Sequence, residues 1–315
     1  MTKNGFLKSL FMTAAAGLVA TSMLSPQASY AQSAQSFETS TAQTMPVDVD
    51  LQTVGTQMLF ALDTSGSMSG EEYAMQLRAV AHAVNSEYVR NTMRFKSGDR
   101  TFSIGVIDFG TNAGVRVNWL YIDGNEINDL PYRIGVNSDS YSARGLQSES
   151  PDALDAFAQS ILDLQSRREV GSTNIHEAFI LARTMFENND RIAIERRVLN
   201  LFGDGNPSQH SLVQRNRDLL AAMGVTVNGF AIVNETVTLE ETFRDVVRTQ
   251  TFTEGPCHIV EIDGQVEEAC LSSAPGQVWA IARSMESSGN TQGGLFAFYQ
   301  EVVSAVKRTI SFEPS

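Results

Sequence analysis

The 315-residue chain is short of basic charge, of cysteine and of long apolar runs, and each shortage excludes something. With 23 Lys and Arg against 36 Asp and Glu, the formal net charge is −13. So acidic a balance argues against a nucleic-acid ligand and against docking on anionic lipid. It permits a cationic partner, although a solvated acidic surface is the simpler reading. Beyond the N-terminus, no apolar stretch approaches the ~20 residues that a helical membrane span requires. Internal repeats are absent too, and outside the N-terminal segments about 260 residues remain, the upper end of one domain's usual size.

At the N-terminus, Lys3 and Lys8 precede an apolar run from Leu10 to Leu24, which Pro26 ends. Ser29-Tyr30-Ala31 then offers small residues of the kind a signal peptidase reads. Residues 1–31 are therefore expected to be a secretory signal peptide, cleaved after Ala31. No cysteine lies near that point to carry a lipid, and there is no twin arginine. Cleavage would take two of the 23 basic residues and no acid, leaving 21 against 36 and a charge of −15. Residues 32–52, rich in Ser, Thr, Gln and Ala, read as a flexible leader. Residues 53–315 read as one domain of an exported protein, periplasmic or secreted.

What is present centres on Gln57 to Ser69, QMLFALDTSGSMS. A short apolar run reads as a buried strand of a parallel sheet. Where the run stops, Asp63, Ser65 and Ser67 follow at alternate positions, on the loop leaving the strand's C-terminal end. Open α/β sheets bind their ligands there. One carboxylate and two hydroxyls are hard oxygen donors, suited to Mg²⁺, Mn²⁺ or Ca²⁺ rather than to zinc or copper.

The rest of the chain alternates. Glu71 to Phe95 reads as one long helix with Tyr73, Leu77, Val80, Ala81, Val84 and Tyr88 on a buried stripe; Met75 and His82 are ordinary residues of it. Strands are expected at 101–109, at 115–122 on the sheet edge, at 197–202 and at 225–233. Helices are expected at 151–164, at 174–187 and from Ser208 to about Ala222. This order predicts an α/β fold with a doubly wound (Rossmann-like), mostly parallel sheet in the order 3-2-1-4-5. Asp204 repeats the logic of Asp63, an aspartate between glycines at a strand end. In that order the first and fourth strands are neighbours, so the two aspartates emerge side by side. Thr173, on the loop before the helix that leads into the fourth strand, reaches the same point. Each residue alone has a plainer reading: the aspartates as turn formers, Ser65, Ser67 and Thr173 as helix caps.

Asp63, Ser65, Ser67, Thr173 and Asp204, in this order and context, resemble the metal-ion-dependent adhesion site of von Willebrand factor type A domains. The likeness covers residues 55–233 and, by position, the last helix. It implies Mg²⁺, or Mn²⁺ or Ca²⁺, held by those five residues, and a partner whose acidic group completes the ion's shell. It also implies a binding module rather than an enzyme. Asp108, ending the second strand, is expected near the rim but not as a ligand.

In the C-terminal third, Leu239 to Thr249 looks helical, and residues 234–294 read as an insertion before a last helix, Leu295 to Ile310. Within it, Asp263-Gly264 is the favoured turn of a tight hairpin. Counting outward pairs Ile262 with Gln265 and places Cys257 opposite Cys270, within disulfide range. In an exported protein these two cysteines are expected to be joined. A site built from Cys257, Cys270 and His258 would have too few ligands for a metal. The hairpin reads either as part of a partner surface or as a stabilising flap. The competing function, a metal-dependent hydrolase of phosphoesterase type with Ser65 or Asp63 as nucleophile, needs a base. His176 is the only candidate near the motif. Partner, biological process and oligomeric state are not legible in the sequence.

Overall fold

The architecture comes from a computed structural model that describes residues 52–131, 148, 150–166, 171–207, 209–233, 237–262 and 265–282, together with Tyr299, Gln300 and most positions from 302 to 310. The signal peptide, the leader up to residue 51, Ser208, the Asp263-Gly264 turn and the start of the last helix through Phe298 lie outside the described residues, whereas Gln52, read as the leader's last residue, opens the first strand.

The first strand, β1 (Gln52–Asp63), is buried from Val54 to its end. Its side chains alternate between two cores, as the period of a strand requires. Met58, Phe60 and Leu62 enter one and Leu59 and Ala61 the other. On its flanks lie β2 (Thr101–Phe109) and β4 (Arg191–Gly203), both parallel to it. Strand β3 (Ala113–Asp123) runs antiparallel at one edge, and β5 (Val225–Val233) is parallel beyond β4. The expected order 3-2-1-4-5 is therefore the observed one.

A sixth strand, β8 (Val278–Ala282), extends the sheet parallel to β5. It falls inside the stretch read as an insertion, so that stretch partly belongs to the sheet. Trp279 stacks on Phe230, which stacks on Phe202, and this ties β8 to the two strands before it. The remaining strands, β6 (Thr253–Ile262) and β7 (Gln265–Ser273), pair only with each other among the described residues.

Helices cover both faces. On one face lie α1 (Gly70–Asn85), α2 (Glu87–Phe95) and α3 (Ala153–Leu162), with the C-terminal residues Tyr299, Val302, Val303, Val306 and Ile310. On the other lie α4 (Ile175–Glu187) and α5 (His210–Ala222), with a short α6 (Val237–Thr242) that continues as a π-helical turn, Phe243–Val247. The expected helix through Leu239–Thr249 is thus α-helical only to Thr242.

The single helix expected over 71–95 is two. Ser86 adopts an extended conformation, and its hydroxyl donates to the Ala83 carbonyl and accepts from the Val89 N–H, so it caps α2 while closing α1. Tyr88, placed by spacing on the buried stripe, is exposed, and Lys307 sits over its ring. The break lets Arg90 turn inward. Its fully buried guanidinium bonds Asn85 and the carboxylates of Asp152 and Asp155 at the N-terminus of α3. Burial alone would raise the pKa of Asp152, but its hydrogen bond to Arg90 turns the net shift downward. His82 packs against Tyr299, and burial, with the Arg78 charge second, lowers its pKa to about 4.

The β6–β7 hairpin is rooted at the N-terminal ends of β4 and β5. Gly224, just before β5, has φ +75°, a left-handed value that glycine takes freely. A side chain there would collide with Leu271 of β7. Nearby, the Ala274 N–H bonds the hydroxyl of Thr226. Burial lowers the pKa of His258 on β6, with the Arg197 charge on β4 as a second cause.

Candidate functional site

Strands β1 and β4 end next to each other, their last pair being Ala61 with Leu201. Past that pair β1 and β4 no longer pair with each other, and the two strands end at Asp63 and Gly203, which brings Asp63 and Asp204 out side by side. Asp63 is completely buried. One of its oxygens, Oδ1, accepts the Ser65 N–H at 2.7 Å, and Oδ2 accepts the Asp204 N–H at 3.4 Å. The hydroxyls of Ser65 and Ser67 are 2.9 Å apart, and Ser67 donates to Asp204 Oδ1 at 2.6 Å. Ser65 is buried, Asp204 half-buried and Ser67 exposed, so the cluster opens from the sheet toward solvent.

Thr173 belongs to the same cluster. A Cβ on Gly205, next to Asp204, would lie 2.7 Å from Thr173 Oγ1. Glycine at 205 is therefore required for the two loops to close on each other. Backbone contacts lock the loops: Gly66 N–H to Gly171 carbonyl at 2.6 Å, and Asn174 N–H to Gly110 carbonyl at 3.1 Å. The Asn174 side chain donates to Thr111, and the Thr111 hydroxyl accepts the Ser172 N–H. All five residues picked from the sequence are thus brought to one place.

The cap readings of these residues do not describe the structure. Helix α1 is capped by Ser69, reciprocally with Glu72, and not by Ser65 or Ser67. At α4 the cap position is Asn174, one residue past Thr173. The three hydroxyls therefore have no capping role at these helices.

Burial pushes the Asp63 carboxyl up to about 7; bonds from Ser65 counter this rise and the Asp204 charge adds to it. A buried carboxylate with a second one beside it is costly to ionise unless positive charge is supplied.

Gln76 is a part of the site that the sequence reading did not single out. This fully buried residue of α1 accepts the Asp63 N–H on Oε1 at 3.3 Å and donates from Nε2 to the Asp63 carbonyl at 3.1 Å. The backbone N–H and C=O of a strand residue point to the same side, and at Asp63 that side faces β4, whose ladder has already ended. The Gln76 carboxamide takes the place of the missing strand. The available signal was a polar residue three positions from Tyr73, on the apolar face of the helix.

Asp108 is buried and accepts from Arg116 Nε at 2.5 Å, an ion pair rather than a place in the cluster. His176 lies buried in the first turn of α4, 3.4 Å from Glu177. Cys257 and Cys270 are directly opposite each other in the hairpin and joined as a disulfide. Their sulfurs, near Glu268, are therefore not available as thiolate ligands.

The family described as "Protein of unknown function (DUF1194)" matches residues 138–255, a span that holds Thr173 and Asp204. No curated protein matches the chain. Among solved structures it is similar to a von Willebrand factor type A protein from Catenulispora acidiphila, at 13% identity and a TM-score of 0.41. That match covers 81% of this chain and 43% of the other, so the chain spans less than half of that protein. It is also similar to BatB from Bacteroides thetaiotaomicron, at 12% identity and TM-score 0.38, covering 79% and 100% of the two chains. With the SpRpn10 VWA domain the identity is 10% and the TM-score 0.43, covering 79% and 95%. These are likenesses at low identity, and the chemistry of the cluster rests on its own geometry.

Proposed function

We propose that this protein is an exported, metal-dependent binding module whose divalent cation is held by Asp63, Ser65, Ser67, Thr173 and Asp204. The observation that carries the reading is the convergence of two carboxylates and three hydroxyls from three separate loops at the ends of β1 and β4. The donor set is all oxygen, which fits Mg²⁺ first, and Mn²⁺ or Ca²⁺ by the same chemistry. The raised pKa of Asp63 fits as well, since a cation is what a buried carboxylate of this kind lacks.

Once bound, the ion would supply a Lewis-acid position facing solvent, where a carboxylate on a partner protein or surface ligand can replace water. The chain's own part is to hold the donors. Asp63 is fixed by two N–H groups and Gln76, and exposed Ser67 sits at the mouth beside Asp204. No described residue favours the hydrolase reading, whose candidate base, His176, is buried against Glu177. Export is supported by the disulfide, which oxidising compartments sustain. Among the described residues no helix is long and apolar enough to cross a membrane.

The test is a pull-down from envelope and secreted-protein extracts, with Mg²⁺ or EDTA, using wild type and Asp63→Ala. Calorimetric titration with Mn²⁺ runs in parallel. The reading expects an ion bound by wild type alone and a partner retained only by the loaded wild type. Equal capture in every lane, or no ion bound by wild type, overturns it.

A further inference from the structure

We infer that the outward face of the β6–β7 hairpin is a second interaction surface, one that takes a protein segment carrying Lys or Arg beside aliphatic side chains. The face is defined by register. Cys257 lies opposite Cys270, Ile259 opposite Glu268 and Glu261 opposite Val266. All six residues are exposed. Ile259 is 47% and Val266 70% accessible, both large for aliphatic side chains on a strand. The alternate positions include buried Val260 and half-buried His258, the latter within the field of Arg197 on β4. One face of the ribbon therefore packs on the domain, and the other, among the described residues, is exposed.

An isolated two-stranded ribbon is marginal in water. Leu271 and Val260 anchor the inner side of this one, whereas the disulfide lies on the solvent side. A flap needed only to cover the core would be held by its inner contacts. Bracing the outer face fixes its side chains in advance, which lowers the ordering cost of binding.

Charge selects the occupant. From Thr249 to Ala282 the chain carries Glu254, Glu261, Asp263, Glu267 and Glu268 and not one Lys or Arg. Glu261 and Glu268 flank Val266 and Ile259 on the exposed face. Such a face repels anionic lipid, nucleic acid and a second copy of itself, and it complements a basic strand or loop with an aliphatic centre. The hairpin is rooted where β4 and β5 begin, whereas the Asp63 cluster lies where β1 and β4 end. This surface is thus independent of the metal reading, and together the two would let one domain hold two partners at opposite ends of its sheet.

The experiment maps amide chemical shifts of the ¹⁵N-labelled protein in EDTA at near-physiological salt. The probe is a short peptide alternating Lys and Val, and the matching Glu/Val peptide is the control. The Lys/Val peptide is expected to shift Cys257, Ile259, Glu261, Val266 and Glu268, and the Glu/Val peptide none of them. The double variant Glu261→Lys/Glu268→Lys should weaken binding by about tenfold or more. Val266→Ser should weaken it as well, with unfolding temperatures unchanged. Shifts spread over the acidic surface, binding undiminished in the double variant, or dimerisation through the hairpin in sedimentation would each overturn the inference.

Discussion

Replacing Gln76 with methionine keeps the volume of the side chain and removes both of its hydrogen bonds. In the native fold those bonds, at 3.3 and 3.1 Å, satisfy the N–H and carbonyl of Asp63 beyond the last β1–β4 pair. Leaving a buried polar group unsatisfied costs ~1–3 kcal/mol. Both bonds are long, so the lower end applies, and the two together should cost about 2–3 kcal/mol. For a domain of this size that lowers the unfolding temperature by roughly 5–10 °C. The sharper effect is on the proposed ion, because Asp63 would lose what fixes its backbone. Groups that orient metal ligands are typically worth about 10–100-fold in affinity. Unfolding in EDTA and calorimetric titration with Mn²⁺ would be measured for wild type, Gln76→Met and the core variant Ile161→Val. Affinity should fall at least tenfold in Gln76→Met and hold in Ile161→Val, which loses stability away from the site. Wild-type affinity in Gln76→Met, or equal losses in both variants, would refute the positioning argument. A wild type that binds no ion would instead refute the metal reading.

Arg90→Met should destabilise the fold by about 3–5 kcal/mol, because it strands Asp152 and Asp155 as buried acids without their cation; chemical denaturation measures this, and a loss under 1 kcal/mol would contradict it. The double variant Cys257→Ser/Cys270→Ser releases the ~3 kcal/mol that closing such a loop supplies. Amide exchange should then quicken at Cys257–Glu261 and Val266–Cys270 while metal affinity stays unchanged. In EDTA, Asp63 should make the fold less stable as pH rises from about 4 toward 7, because its folded pKa of about 7 lies above the ordinary carboxyl value of 3.8 and the folded state holds the extra proton in that window. The difference in unfolding temperature between wild type and Asp63→Asn isolates this slope, and a slope of opposite sign would reject the raised pKa.

Elements whose stability comes from local pattern were readable from the sequence. Strands 101–109 and 225–233 match the observed β2 and β5, because continuous apolar runs between turn residues leave few alternatives. The hairpin register followed from one turn and counting, and both cysteines fell opposite each other. The break at Ser86 was missed because Tyr88 continued the three- and four-residue spacing. What decides the break is Arg90 reaching acids more than sixty residues away, a tertiary contact that spacing does not encode. Strand β8 was missed for a similar reason: five residues, VWAIA, become a strand through the edge of β5 and the Phe230 ring that receive them. The five cluster residues could be named from the sequence because each sits at a strand end or loop with turn chemistry around it. Gln76 could not, because its role depends on the ladder stopping at Ala61.

Elsewhere among the described residues, the buried acids Asp108 and Asp155 are met by cations of the chain's own. Asp152 and Asp155 have Arg90, Asp108 has Arg116, and Glu195 has Lys96. In each case the charge is neutralised when the chain folds, and the acid's role is architectural. Asp63 is handled differently: its oxygens are met by the N–H groups of Ser65 and Asp204, dipoles that orient a carboxylate but carry no net charge. A second carboxylate, Asp204, is brought beside it, and the Asp63 carboxyl stands at about 7. Two acids placed together among hydroxyls, at the ends of β1 and β4, are the donor set that the proposed cation would complete. That contrast within one molecule supports a metal site more directly than the motif does, because it rests on what the chain does with its other buried acids.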